Sequence, residues 1–427
     1  MSQQSAENNA PVNSGAMPVY ESLKNIGFRM LWIGTLFSTA GMQMNMVAQS
    51  WLAYDLTGSA TVLGLVAGAR AVPMTAFSLL GGVVADRVRK RNLLVATQSG
   101  LGLLSLAVAI LVHARLIQPW HLVVAGALQG TLFAFNMPAR QAFIPELVGP
   151  KLLPNAIAIQ STGMNVNRIG APAVAGLLLA INPMLAFYST AALYLTGAFS
   201  VFRLPPGVPA ADNGRSPLAD LKIGLSYIWN NQIIRTLLIM AFIPTFLGMP
   251  FMQLLPVFQA DVFGVGPSEL GVMYMAVGIG SLSSSLLVAA LTPHPKTGFM
   301  QMVAGVCFGL GLVGLALSPG FVVGLVALFL VGLFSQGYMI INQILLMTNI
   351  EGDMYGRVSS ISLITWAINP AALLVLGAFV DRLGAPPVVT VQGLLLAAFI
   401  FGIALAYPRV WRQHGAQIAQ KARVDSR

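Results

Sequence analysis

Charge is what this sequence has least of: 8% of its 427 residues are Asp, Glu, Lys or Arg, against 56% hydrophobic. A water-soluble globule could not cover its surface with so few polar groups, so that class is excluded. Cysteine is nearly absent as well. The single Cys307 sits in an apolar run, which rules out a disulfide within the chain and says nothing about redox compartment. The four histidines, His113, His121, His294 and His414, are scattered near predicted helix ends and form no zinc-type cluster. No glycine-rich phosphate loop opens a nucleotide domain. Neither ATP hydrolysis nor any other enzymatic activity is expected, and no cofactor or metal is called for.

What is present is a succession of apolar runs of about 20 residues, the length a helix needs to cross roughly 30 Å of hydrocarbon. They predict an all-α membrane protein with twelve transmembrane helices, near 28–54, 61–85, 92–113, 119–140, 155–181, 184–203, 233–260, 267–291, 298–317, 320–346, 355–381 and 386–407. The first run, from Phe28, is too long and too late for a cleaved signal sequence, so the N-terminus is expected to be retained. The one long break, 204–232, opens Leu-Pro-Pro-Gly-Val-Pro and reads as a cytoplasmic linker, with 217–230 as a short surface helix. The predicted organisation is an N-terminal segment 1–27, a six-helix bundle 28–203, the linker, a second bundle 233–407 and a tail 408–427.

Lys and Arg near helix ends stay preferentially on the cytoplasmic side. With both termini inside, 19 of the 23 basic residues fall on cytoplasmic segments, Arg115 and Arg382 on outer loops, and Arg70 and Arg168 within helices. The opposite topology is untenable. The net charge of +10 is therefore a topology signal and an attraction to anionic membrane lipid, with no need of nucleic acid. A weak internal repeat supports two halves: the stretch Asn136 to Ser161, through Pro145, Glu146 and Lys151, has a counterpart from Asn342 to Ser362, through Glu351, Asp353 and Arg357. Two six-helix halves joined by a central linker suit a transporter that rocks one half against the other around a midplane site.

The sharpest local feature is Gly82-Val-Val-Ala-Asp86-Arg87-Val-Arg-Lys90-Arg91, a glycine, an acid and four cations in a short loop between two apolar runs. It resembles motif A of the major facilitator superfamily, although Arg89 stands where a second glycine is common. Three further segments are similar to the branch that contains the enterobactin exporters: Pro138 to Val148 with Leu153-Pro-Asn-Ala156, Tyr54-Asp-Leu-Thr-Gly-Ser59, and Gly356-Arg-Val-Ser-Ser360. The resemblance covers essentially the whole membrane part. It implies a two-bundle fold working by alternating access, in which Gly82, Asp86, Arg87, Lys90 and Arg91 form a conformational latch. Physically, Asp86 can face unpaired N–H groups at the start of helix 11, near Tyr355 and Gly356, and hold the halves together. The alternative is a loop that serves only to orient the chain. Arg168-Ile-Gly-Ala-Pro-Ala-Val-Ala-Gly176 resembles motif C of exporting antiporters, with alanines for some glycines, and its small residues predict a tight contact between halves. The motif B arginine is missing, with Gly126 in its place, which puts the usual proton route in doubt.

An arginine at a helix centre costs on the order of 2.5–3.5 kcal/mol on insertion scales, so Arg70 and Arg168 must face water or partners. They lie roughly 14 and 20 Å deep at 1.5 Å per residue. Either one or both attract an anionic or electron-rich substrate, or each is neutralised by carbonyls or a polar neighbour. Polar residues make stripes at helical spacing: Asn45 and Gln49 on helix 1, Gln129, Asn136 and Arg140 on helix 4, Ser161, Asn165 and Arg168 on helix 5, Gln253 and Gln259 on helix 7, and Gln336, Asn342 and Gln343 on helix 10. As a collection they suggest a polar, mostly uncharged substrate cavity; singly, each could equally bridge packed helices. The twenty methionines would give that cavity an adaptable wall or serve packing alone. Proton coupling has no mid-membrane carboxylate; the candidates are Asp55 and Asp261 at outer helix ends, Glu146 on the inner side and Asp86, with Asp55, at the mouth of helix 1, the first choice and a turn-capping role as its alternative. The expectation is a monomeric, multi-pass inner (plasma) membrane transporter exporting a small siderophore-like or drug-like solute, driven by the proton gradient. Multidrug efflux or metabolite uptake is the alternative within transport, and a receptor or scaffold that moves nothing is the alternative outside it.

Overall fold

Two residues separate the first long helix from the second, and two separate the second from the third, so the chain folds back and forth in tight antiparallel passes. The computed structural model describes residues 20–207, 223, 226–291, 297–350, 354, 358 and 369–407, and among them the regular structure is helical, with no strand. Helix α1 (Ile26–Thr57) begins at Asn25, whose side chain accepts the Phe28 N–H at 3.1 Å. It ends at Gly58, whose φ of 59° lets its N–H close onto the Tyr54 carbonyl at 2.7 Å. Helix α2 (Ala60–Arg87) is capped by the Ser59 hydroxyl, and α3 (Lys90–His113) follows the predicted latch loop.

The run Pro119–Ile181 has 63 residues and would measure about 95 Å if straight, three times the hydrocarbon thickness. It is two helices, α4 (119–148) and α5 (150–181), broken at Gly149 with φ 69° and ψ 172°. The sequence reading put a loop over 141–154; instead the helix continues to 148 and restarts at once, because one glycine absorbs the turn and Pro150 suits a first helical position. A consequence concerns Arg140, which that reading placed at a helix end. It lies inside α4, 6% exposed.

Helix α6 (Pro183–Phe202) completes the first half. In the second, Gln232–Val262 forms α7, in which Pro244–Gly248 and Phe258–Val262 are wider π turns. Prolines 244, 250 and 256 remove N–H donors from this helix and loosen its ladder. Then come α8 (Pro267–Leu291), α9 (Thr297–Ala316), α10 (Phe321–Asn349), α11 (Asn369–Leu383) and α12 (Ala385–Ala406). The predicted start of helix 11, with Tyr355 and Gly356, and most of 204–232 lie outside the described residues.

By length and composition, nine of the described runs could cross a membrane, with Pro119–Ile181 taken as one. Leu103, Ile110, Phe199, Leu286 and Phe401 stand exposed on these helices, as a surface meeting acyl chains requires. Within the first half α2 packs on α4 and α3 on α6; within the second α10 packs on α8 and α9, and α9 on α12. The halves meet where α5 crosses α8 and α2 meets α11. Among the described residues, the close approaches of α2 to α11 and of Gly176 to Gly271 lie at the end of the bundle that carries Gly58, opposite the end that carries Arg89.

Candidate functional site

Small residues let the halves approach at the Gly58 end. A Cβ on Gly176 would lie 2.5 Å from the Cα of Gly271, and one on Gly271 would lie 3.0 Å from the Pro172 carbonyl. Further along the crossing, a Cβ on Gly278 would sit 3.2 Å from the Arg168 carbonyl. The Arg168-to-Gly176 segment thus makes the close half-to-half contact that its small residues predicted. Two side-chain links reinforce this end. The Tyr54 hydroxyl donates to Asp261 at 2.5 Å, and Asp381 of α11 accepts from the start of α2. Asp55, one residue along, is exposed in the last turn of α1 and has no recorded hydrogen bond among the described residues.

Behind the closed end lies a crevice between the halves, lined by Gln43, Met46, Arg168 and Pro172 from one and by Met252, Tyr274, Val277 and Gly278 from the other. Arg168 reaches across the bundle and donates to the Gln336 side-chain oxygen at 2.9 Å. This is the one pair of expected cavity residues that the structure joins across the halves among the described residues. A guanidinium held by a neutral amide keeps its full charge available to an anionic or electron-rich group.

Four of the other expected cavity residues, Asn45, Gln129, Asn136 and Asn342, pair within their own half. Asn45 donates to Gln129 at 2.9 Å, Asn136 to the Thr97 hydroxyl at 2.7 Å, and Arg140 to Asn136 at 2.8 Å. In the second half Gln301 donates to Asn342 at 2.7 Å. Gln49 is 3% exposed, and its amide nitrogen, like that of Gln129, has no partner among the described residues. Gln259 donates back to the Val265 carbonyl and so closes its own helix end. Arg70 is partly buried, and Asn165 and Gln253 are half-buried, all without a recorded side-chain bond among the described residues.

Sequence reasoning missed Asn167, and it named Glu146 without its partner. Asn167, two residues from Asn165, ties α5 to α1 through the Leu36 carbonyl at 2.8 Å and the Thr39 hydroxyl at 2.6 Å. Glu146 pairs with Lys90, whose side chain is 2% exposed. The motif A segment and the Pro138-to-Val148 segment therefore meet in one ion pair. Arg91 donates to the Leu204 carbonyl at 3.1 Å, and Gly207, at φ 73°, passes over the pair. So Lys90 and Arg91 fasten the loop to its own half, while the Asp86 side chain lies outside the description.

Two helix halves closed on each other at one end, with a cation and amides between them, have the build of a membrane transporter of the major facilitator type, not of an enzyme. A family model described as transmembrane secretion effector matches residues 18–341, and the chain belongs to that family. It is 25% identical to the staphyloferrin A transporter of Staphylococcus aureus, over 83% of this chain and 89% of that one. It is 26% identical to the multidrug efflux pump Tap of Mycolicibacterium fortuitum, over 89% and 95%. With the enterobactin exporter EntS of Shigella dysenteriae it shares 25% identity over 90% and 91%. Among solved structures, the fold matches a bacterial homolog of the human lysosomal transporter Spinster with a TM-score of 0.71 at 14% identity, over 93% and 99%.

Proposed function

We propose that the chain is a secondary transporter that exports a small organic solute by alternating access, with Arg168 as the principal contact for an anionic or electron-rich part of that solute. The observation that carries this is the Arg168–Gln336 bond between the halves, beside a crevice that one end of the bundle closes. Relatives named for staphyloferrin A, for enterobactin and for multidrug efflux support small organic molecules as the class. Asn45, Gln49, Arg70, Gln129, Asn136, Asn165, Gln253 and Asn342 form the supporting polar set, some as wall and some as bracing for it.

Reading the Gly149 break as a loop between two spans, and α1 and the described part of α11 as spans, brings the count to twelve. α1 falls short of a purely apolar span because it carries Gln43, Asn45, Gln49 and Asp55. With the basic loops inside, the protein sits in the inner membrane, both termini are cytoplasmic and the closed Gly58 end is the outer one. The driving force is proton exchange, the working unit is a monomer, and Gly82, Asp86, Arg87, Lys90 and Arg91 work the inner latch.

Everted membrane vesicles incubated in turn with iron-free siderophores and with amphiphilic drugs test this. Gradient-dependent uptake of at least one probe, abolished by collapsing the pH gradient and by cross-linking the halves at both ends, is expected. Uptake of no probe would favour a scaffold, and uptake that survives the double cross-link would end the alternating-access reading. Uptake indifferent to the pH gradient would remove proton exchange alone.

A further inference from the structure

The closed end carries a carboxylate that crosses between the halves. Asp381, in the last turn of α11, accepts the Ala60 N–H at 2.6 Å on one oxygen. On the other it accepts the Ser59 hydroxyl at 2.7 Å, the Thr61 N–H at 3.1 Å and the Thr61 hydroxyl at 2.6 Å. Ala60 and Thr61 begin α2, where N–H groups have no partner inside the helix. That helix has no acidic residue in its own first turn. The opposite half supplies the anion that the orphan donors and the helix dipole favour. The two backbones are pressed together at the same place: a Cβ on Gly377 would lie 2.6 Å from the Ala60 carbonyl oxygen, and one on Gly64 would lie 2.7 Å from the Leu374 Cα.

The sequence around this acid repeats the latch segment of α2. Gly377-Ala-Phe-Val-Asp381-Arg382 and Gly82-Val-Val-Ala-Asp86-Arg87 share glycine, acid and arginine at the same spacing. The start of α2 lies against the end of α11, so these helices run antiparallel and the two acids stand at opposite ends of one helix pair. The Cβ position of Gly377 is filled by α2.

We propose that Asp381 is a second latch, which holds the Gly58 end shut by capping α2, and that it engages in the state opposite to the one Asp86 favours. This rests on the alternating-access reading above. Each rocking of the halves would exchange one carboxylate cap for the other, so neither state leaves both helix N-termini of this pair uncapped.

The test uses the full chain in lipid nanodiscs with Cys307→Ser, and spin labels on Leu56→Cys and Leu383→Cys, both exposed at the Gly58 end. Hydrogen bonds to charged groups are strong enough that Asp381→Asn is expected to raise the population with long interspin distances roughly tenfold or more. The double variant Ser59→Ala/Thr61→Val, which keeps the carboxylate, is expected to do the same to a smaller degree. Glu269→Gln is the control: this carboxylate stands at the start of α8 at the same end, bonded to the adjacent Ser268 hydroxyl. A shift in either latch variant with none in the control supports the latch. Wild-type distributions in both latch variants, or an equal shift in the control, overturn it, and if Asp381→Asn does not fold, the double variant decides alone. Distances are read without solute, so a chain that moves no probe but shifts its distances loses the export reading and keeps the latch. Normal efflux with unshifted distances does the reverse.

Discussion

The two halves solve one packing problem alike and a second one differently. Each uses an amide past the midpoint of its fourth helix to bond the helix before it: Asn136 to Thr97 in the first half, Asn342 with Gln301 in the second. These are the residues at which the weak internal repeat begins. Around that shared bond the chemistry diverges. The first half buries Arg140 on the same asparagine and holds Arg70 and Arg168 within its helices, whereas among the described residues the second half places its cations, Arg235 and Arg382, at helix ends. A repeated bond is explained by helix packing alone. Three cations confined to one half are costly in a membrane and need another reason. Under the proposed function, bracing falls to what the halves share and solute recognition to what they do not.

The comparison breaks most severely at the contact between halves. Gly271→Leu would place a branched side chain where a Cβ alone is already at the limit of contact with α5, and the Gly58 end could not close. Efflux of every probe is expected to fall to background in a vesicle assay, with expression and detergent-solubilised monomer unchanged. Retained efflux would mean that α5 and α8 need not meet.

Next in size is the asymmetry of charge. Arg168→Ala removes the cation that faces the crevice and is expected to lower flux of anionic probes tenfold or more, with a smaller effect on neutral ones. Its partner change, Gln336→Ala, removes a neutral amide and should cost only a few-fold. If both variants lost flux equally for all probes, the pair would be a structural tie and the first half would have no special part in recognition. Uptake measured at several probe concentrations separates weakened binding from slowed turnover.

The fold was legible because its dominant signal is length: runs of about 20 apolar residues separated by short polar turns admit few other readings. The failures were local. The break between α4 and α5 was hidden because 141–154 mixes prolines 145, 150 and 154 with polar residues, whereas helix on both sides of Gly149 needs only one residue with positive φ. The site was less legible, because a polar stripe does not say which neighbour it meets. Asn45 and Gln129 recur at helical spacing just as Arg168 does, yet the first two bond inside one half and the third reaches the other. Nothing in the spacing of Asn165 and Asn167 foretold that the second would tie α5 to α1. The Lys90–Glu146 pair joins residues 56 positions apart, and no single-helix periodicity reaches that far.

Lys90→Met sharpens the comparison at a lower energy. It strips Glu146 of a partner, but the Glu146 side chain keeps 31% of its surface exposed, so the loss should fall below the 3–5 kcal/mol typical of breaking fully buried pairs, at about 2 kcal/mol. Thermal unfolding in detergent should show the drop, and Lys90→Met/Glu146→Gln should recover part of it. A double variant no better than the single would show that Lys90 matters for its stem packing instead of its charge.

The finest distinction lies within the shared bond itself. Asn136→Leu and Asn342→Leu delete the same amide from corresponding helices, so a purely repetitive architecture would lose equal stability in both. Asn136, however, also accepts from Arg140, whose Nε is already without a recorded partner among the described residues. Its loss strands a buried guanidinium, and hydrogen bonds to charged groups contribute about 1.5–3 kcal/mol against about 0.5–1.5 for neutral ones. Asn342→Leu strands only the neutral Gln301. The melting temperature should therefore fall further for Asn136→Leu, and adding Arg140→Met should restore that variant while doing nothing for Asn342→Leu. Equal losses, or no rescue, would mean that Arg140 finds water when its asparagine is gone, and the charge asymmetry between the halves would then reach only Arg70 and Arg168.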